Sequence, residues 1–354
     1  MPLQRTSLAD ADPDKLRSEV VAALQRGELC VLPTETVYGV AALPSHDGAA
    51  ERLRRFGGRD PAQPLTFHVA DADDVRKLGA RLHRGAERLI ERYWPGPLTL
   101  IVATDGDGGS VGVRLPSHVF TRAVVRACGE PLWLTSIPRD GTALVDPDAV
   151  AAACGDDATQ MVDDGPSPIG SASTIVRADA GELQVLREGI LSRDEVLNTA
   201  ADLILFVCTG NTCRSPLAEA FARQLTAKAM GVPEDRVLAR GLRFASAGTA
   251  TMPGMAASDG SLEAGAEVGL DLGPHLSQPI DPMLWTRAEK IYCLGDSHRR
   301  ALLAEAPEVG DRVELLRPDG LDIADPYGGD LMVYRRARDE IAAAVQARMT
   351  DWWP

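Results

Sequence analysis

The sequence predicts an α/β protein of two domains, each built on an open sheet, the second opening with a phosphate-binding loop after its first strand. Three observations carry this reading. Both halves of the 354-residue chain alternate short apolar runs with amphipathic segments, the pattern of open α/β sheets. The run Leu203-Ile204-Leu205-Phe206-Val207 follows the polar stretch 192–202 and reads as a buried parallel strand. Directly after it stand Cys208-Thr209-Gly210-Asn211-Thr212-Cys213-Arg214-Ser215-Pro216 and then a helix-periodic segment, 217–225.

The length fits two or three domains at roughly 100–200 residues each. The polar stretch places a linker within about three residues of Asn198, which gives domains of residues 1–197 and 198–354. With 45% hydrophobic and 25% charged residues, each has enough apolar material for a core. The net charge of −14 repels phosphate backbones and anionic membranes. It does not mark the boundary, because residues 1–200 hold 21 basic and 29 acidic side chains and the rest hold 16 and 22. Aromatics at 5% argue against single-strand nucleic-acid binding by stacking. No apolar run reaches about 18 residues, and residues 1–14 lack an apolar signal core, so neither membrane spanning nor secretion is expected. The six cysteines, at 30, 128, 154, 208, 213 and 293, are too few and scattered for a disulfide scaffold or a zinc ribbon. A cytoplasmic protein without a metal site is expected.

In the first domain, Leu32-Pro33-Thr34-Glu35-Thr36-Val37-Tyr38-Gly39-Val40 reads as a strand end running into a turn and helix. Phe56-Gly57-Gly58-Arg59-Asp60 precedes Pro64-Leu65-Thr66-Phe67-His68-Val69, and further on come Val113-Arg114-Leu115-Pro116, Ser171-Ala172-Ser173-Thr174 and Leu186-Arg187. The acidic segment 156–168 reads as a loop. Hydroxyls at strand ends with Arg59, Arg114 and Arg187 can form a polar basin for an anion such as a nucleotide. The plainer alternative is that Thr34, Thr36 and Ser173 cap turns and the arginines decorate a surface.

In order and spacing, residues 12–195 resemble the YrdC-like family. The resemblance implies a twisted open α/β sheet and, in active members, the joining of threonine, bicarbonate and ATP into threonylcarbamoyl-AMP for tRNA modification. ATP with magnesium is then the implied cosubstrate, and tRNA or double-stranded RNA the implied partner. Thr34, Arg59, His68, Arg114, Ser136, Ser173 and Arg187 are the implied nucleotide- or threonine-binding positions. Two positions depart from the family pattern. Gly57 stands where a lysine is expected, and in Ser136-Ile137-Pro138 the proline replaces an asparagine. Glycine supplies no charge to a triphosphate, and proline offers neither a side-chain donor nor a backbone N–H. A binding or regulatory domain with a degenerate site is the expectation; a working second enzyme is the alternative.

In the second domain, Cys208 and Arg214 lie six residues apart around a loop between strand and helix. Backbone N–H groups of such a loop converge on phosphate, the helix N-terminus adds partial positive charge, and the arginine fork grips two oxygens. The same field favours the thiolate of Cys208, the nucleophilic form. Gly210 and Asn211 tolerate left-handed turns, and Ser215 can hydrogen-bond the leaving sulfur. The plainer alternative is two buried cysteines beside a glycine turn. A phosphatase also needs a proton donor for the leaving group. Asp325, held extended before Pro326, can project into the site or merely belong to a helix-entry turn.

Residues 203–350 resemble the low-molecular-weight protein tyrosine phosphatase family through Val207–Pro216, Ser246-Ala247-Gly248, Gly269 to Ser277 and Asp325-Pro326. The resemblance implies a Rossmann-like parallel sheet, a phosphorylated protein as substrate and no cofactor. Cys208 is the implied nucleophile, Arg214 the clamp and Asp325 the general acid. Thr209, Gly210, Asn211, Thr212, Cys213 and Ser215 are the implied phosphate loop. Thr212 stands where tyrosine enzymes usually carry an aliphatic residue, and Asp325-Pro326 is followed by one aromatic, Tyr327, and two glycines. Both features resemble the protein arginine phosphatase branch and make Thr212 and Tyr327 the candidate specificity residues. Phosphoarginine is preferred over phosphotyrosine or a small phosphoester. The family also uses an adjacent cysteine pair to protect the nucleophile, which implies a reversible Cys208–Cys213 disulfide.

Overall fold

The computed structural model describes residues 3–57, 64–105, 109–139, 142–155, 157–179 and 182–353. The chain divides into two units, Met1–Ala200 and Ala201–Pro354. The division falls within three residues of Asn198, and Asn198 itself stands in an α-helix, Arg193–Ala200, with Val196, Leu197 and Ala200 buried. Ala200 stands three and four residues beyond the adjacent Leu197 and Val196, which puts all three on one helix face; the polar majority of the segment conceals it.

Among the described residues, the first unit is built on an eleven-stranded mixed sheet. Its central strands run, side by side, Cys30–Leu32, Gly39–Ala42, Leu132–Ser136, Thr66–His68, Ser110–Arg114, Leu98–Thr104 and Thr174–Ala178. Two expectations are corrected. The segment after Leu32 turns back into the strand Gly39–Ala42, which pairs antiparallel with Cys30–Leu32; the helix begins only at Ala49. All four residues of Gly39–Ala42 are buried, so no alternation announces a strand. The acidic segment is not all loop either. Gln160–Asp163 is a strand paired in parallel with Gln4–Ser7 on one side and Cys30–Leu32 on the other, with only Met161 and Val162 buried to show it.

The second unit is a four-stranded sheet in the order Leu242–Gly248, Asp202–Cys208, Ala288–Cys293, Val313–Leu315, parallel throughout. Asp202–Cys208 has neighbours on both edges and helices over both faces, which is why its residues are a continuous apolar run. Leu203, Leu205 and Val207 pack into one cluster with Ala245 and Ile291. Ile204, Phe206 and Cys208 pack into the other, with Leu217, Phe221, Tyr292 and Trp352. Each large side chain so buried contributes roughly 1.5–3 kcal/mol, enough to hold the strand end rigid beneath the loop that follows. The helix Arg214–Met230 then runs back along the sheet and stops at Gly231, which takes φ 67° in the left-handed cap. This helix is longer at both ends than the periodic segment 217–225 suggested. The closing helix spans Leu331–Arg348.

Candidate active site

Cys208 ends the central strand and Arg214 begins the helix, so residues 209–213 must reverse the chain within one short loop. Asn211 makes that possible: it has φ 52° and is the one non-glycine residue with positive φ among those described. Its side chain is fixed from three directions. The Oδ1 accepts the Gln278 N–H at 2.8 Å, and the two Nδ2 hydrogens go to Ser215 Oγ and Ser246 Oγ, both at 2.9 Å. Ser246 in turn donates to Glu219 Oε2 at 2.7 Å. Ser215 Oγ therefore already accepts a hydrogen, and its own O–H is left to point at Cys208 Sγ, 3.0 Å away. The Asn211 N–H reaches the same sulfur at 3.3 Å. Two donors aimed at one sulfur suit an anion.

The helix start has no capping side chain at Cys213, so its leading N–H groups face the loop and not a built-in cap. Arg214 lies under the cleft at 6% exposure. It donates from one Nη to the Ile323 carbonyl at 3.0 Å and from the other to Asp325 Oδ2 at 2.7 Å. Thus the loop bearing Asp325 is brought to the loop bearing Cys208 across 111 residues of sequence. Thr212 and Tyr327 line the same cleft as Cys208, Arg214 and Asp325. Tyr327 is its sole lining aromatic among the described residues, and the rim is completed by Ala250, Thr251, Met252 and Met255. Cys208 and Cys213 are both free thiols. Cys213 also lines the cleft, with its sulfur 3.2 Å from Ser258 Oγ and 3.9 Å from the Tyr334 hydroxyl.

Sequence reasoning missed several members of this site. Glu219 is one helical turn beyond Ser215, an i,i+4 spacing that puts both on one face of the helix. Ser246 and His275, whose Nε2 lies 2.7 Å from the Asn211 carbonyl, stand in segments that carry the family resemblance but receive no role in the site from it, and Gln278 comes from a remote segment with no local signature. His298, buried and 2.9 Å from Thr209 Oγ1, is likewise invisible to spacing.

In the first unit, Thr34, His68, Arg114, Ser136, Ser173 and Arg187 line a single cleft; Arg59 lies outside the described residues. The turn-capping role of Thr34 holds as well, since its hydroxyl accepts from the Thr36 and Val37 N–H groups and donates to the Val37 carbonyl. The arginines are less available to an anion than the sequence suggested. Arg114 pairs with buried Glu35 at 2.6 Å, whose other oxygen takes the Ser117 N–H. Arg187 donates to the Ser173 carbonyl at 2.8 and 3.1 Å. His68 is held neutral, its pKa pushed down to about 3 by burial and by neighbouring Arg114.

A thiol under two donors at the C-terminal edge of a parallel sheet, with an arginine beneath the same loop, defines the second unit as a phosphatase of the cysteine type. Comparison with known proteins makes the identity specific. Residues 22–189 match the Sua5/YciO/YrdC family, described as "Telomere recombination", and residues 203–351 match the family described as "Low molecular weight phosphotyrosine protein phosphatase". A threonylcarbamoyl-AMP synthase of Chromohalobacter salexigens is 34% identical over 144 residues, 38% of this chain and 76% of that protein. The Ralstonia solanacearum protein named "Probable low molecular weight protein-tyrosine-phosphatase EpsP" is 31% identical over 152 residues, 43% of this chain and 93% of that one. The threonylcarbamoyl-AMP synthase of Bacillus subtilis is 29% identical over 189 residues, 51% of this chain, and the chain spans only 55% of its length. The chain belongs to both families, to the first through residues 22–189 and to the second through residues 203–351.

Proposed function

We propose that the second unit hydrolyses phosphorylated protein side chains through a phosphocysteine, with Cys208 as nucleophile, Arg214 as phosphate clamp and Asp325 as general acid. The observation that carries this is the Cys208 sulfur facing the Ser215 hydroxyl at 3.0 Å and the Asn211 N–H at 3.3 Å in the cleft that also holds Arg214 and Asp325. Attack of the sulfur on phosphorus breaks the bond to the leaving group, which takes a proton from Asp325; water then releases phosphate and restores the thiolate. No cofactor enters these steps. The reading places the protein in the cytoplasm, where thiols stay reduced.

Phosphoarginine is the preferred substrate. Thr212 lines the cleft and its hydroxyl is the candidate polar contact for a guanidinium, while the rim offers a phenol a single exposed ring, Tyr327. Turnover of a phosphoarginine protein is expected to exceed that of a phosphotyrosine peptide when both are assayed side by side with the Cys208→Ser chain as blank. A phosphotyrosine preference would overturn the role of Thr212 and leave the thiol mechanism standing. Silence on both would shift attention to small phosphoesters.

For the first unit we propose a binding or regulatory role. Glycine at 57 and proline at 138 remove two polar groups expected around nucleotide phosphates, and the described arginines of the cleft are already engaged by Glu35 and Ser173. Loss of one such electrostatic stabiliser costs about 10²–10³ in rate elsewhere. ATP with magnesium, threonine or a related small molecule is the ligand class to test. The −8 balance of residues 1–200 opposes tRNA or double-stranded RNA as the partner. Incubation with threonine, bicarbonate and labelled ATP is expected to give neither pyrophosphate nor a new adenylate. Their appearance would establish a bifunctional enzyme.

A further inference from the structure

Resting on the phosphatase reading, we propose that the Thr209 hydroxyl is an additional donor to the phosphoryl group and that His298 is the residue that positions it. Thr209 follows the nucleophile and lines the cleft. Its backbone carbonyl is tied to the Ala250 N–H at 3.0 Å, so the residue is anchored and its side chain has one remaining torsion to set. His298 sets it. The imidazole stands in the first turn of the helix Asp296–Glu305, is 3% exposed, and puts Nε2 2.9 Å from Thr209 Oγ1.

Counting hydrogens gives the direction of that bond. Burial and the positive charge of Arg214 push the His298 pKa down to about 4, against the opposing pull of Asp325 and Asp322, so the ring is neutral and carries one N–H. The Nδ1 atom is buried and has no hydrogen-bond partner among the described residues. A hydrogen on Nδ1 would strand a buried donor. On Nε2 it is used at once, and the unmet group is only an acceptor lone pair, the cheaper defect. His298 therefore donates to Thr209 Oγ1. The threonine keeps its own O–H, since a hydroxyl accepts and donates together. With one lone pair held by the imidazole, that hydrogen is turned from the histidine towards the cleft, where a tetrahedral phosphoryl group presents three oxygens and accepts it.

The test uses the full chain with inorganic phosphate as the probe. Thr209→Val, His298→Ala and the double variant are compared as p-nitrophenyl phosphatases, with phosphate as competitive inhibitor. A donor to a non-bridging oxygen serves ground and transition states alike, so each single change is expected to raise KM and the phosphate inhibition constant about five-fold, with little of the loss in kcat. The double variant should be no weaker than either single, because histidine acts only through the hydroxyl. His298→Asn, which can still donate, should restore most of the affinity. Unchanged phosphate affinity in Thr209→Val, or additive losses in the double variant, would overturn the proposal. Thr209→Val is nearly isosteric and decides the question even where His298→Ala fails to fold. Calorimetric phosphate titration of Cys208→Ser with and without Thr209→Val reads the donor without turnover, so it separates failure of this proposal from failure of the phosphatase reading.

Discussion

Replacing Cys208 by serine is expected to lower turnover at least about 10³-fold on every phosphorylated substrate while leaving the fold and phosphate binding intact. The size of the loss follows from what the loop holds. The Ser215 hydroxyl and the Asn211 N–H meet at the sulfur, at 3.0 and 3.3 Å, an arrangement suited to a diffuse anion. A serine oxygen at that place stays protonated and attacks poorly, because its hydrogen-bond neighbours among the described residues, the Ser215 hydroxyl and the Asn211 N–H, are not bases. Binding survives, since Arg214 and the loop backbone are untouched by the change. Steady-state kinetics with calorimetric phosphate titration checks both halves, and wild-type rates in Cys208→Ser would remove the nucleophile assignment.

Asp325→Asn should separate substrates by leaving group. The asparagine is isosteric and its carbonyl can still accept from Arg214, which now reaches Asp325 Oδ2 at 2.7 Å, so the ground-state geometry persists. What is lost is a transferable proton. For p-nitrophenolate, which departs as a stable anion, the loss should be small. For an alkyl alcohol or a guanidine, which cannot leave unprotonated, it should reach about 10²-fold or more. Equal slowing of both classes in kcat would show that Asp325 holds Arg214 in place and gives up no proton. The carboxylate is half exposed, at 49% of its side chain, so solvent reaches it in the cleft.

The chemistry of the second unit was legible because it is local. Strand, loop and the start of the helix are contiguous, and Cys208, Asn211 and Ser215 bond to one another within eight residues of chain. Asp325 was legible only through resemblance, because an aspartate before a proline is common in turns. His298 and Gln278 were not legible at all: their meaning lies in where the sheet order brings the loops after Leu242–Gly248 and Ala288–Cys293. In the first unit, the grouping of Thr34, His68, Arg114 and Ser173 could be anticipated from motif order. The pairing of Arg114 with Glu35 could not, since a sequence shows charges without showing which of them are already matched. The strand Gly39–Ala42 was misread for a related reason: full burial erases the alternation by which a strand is recognised.

Asn211 is held from below by Gln278, Ser215 and Ser246, and Ser246 by Glu219. None of these anchors belongs to the rim of Ala250, Met252 and Tyr327 that a substrate side chain must pass. Of the entrance side chains described, only Thr251 reaches the reactive loop, its hydroxyl donating to the Gly210 carbonyl at 2.7 Å. Exchanging Met252, Met255 or Tyr327 therefore leaves the hydrogen bonds around the sulfur standing, so an enzyme of this design can change clients by a few surface substitutions without relearning its reaction.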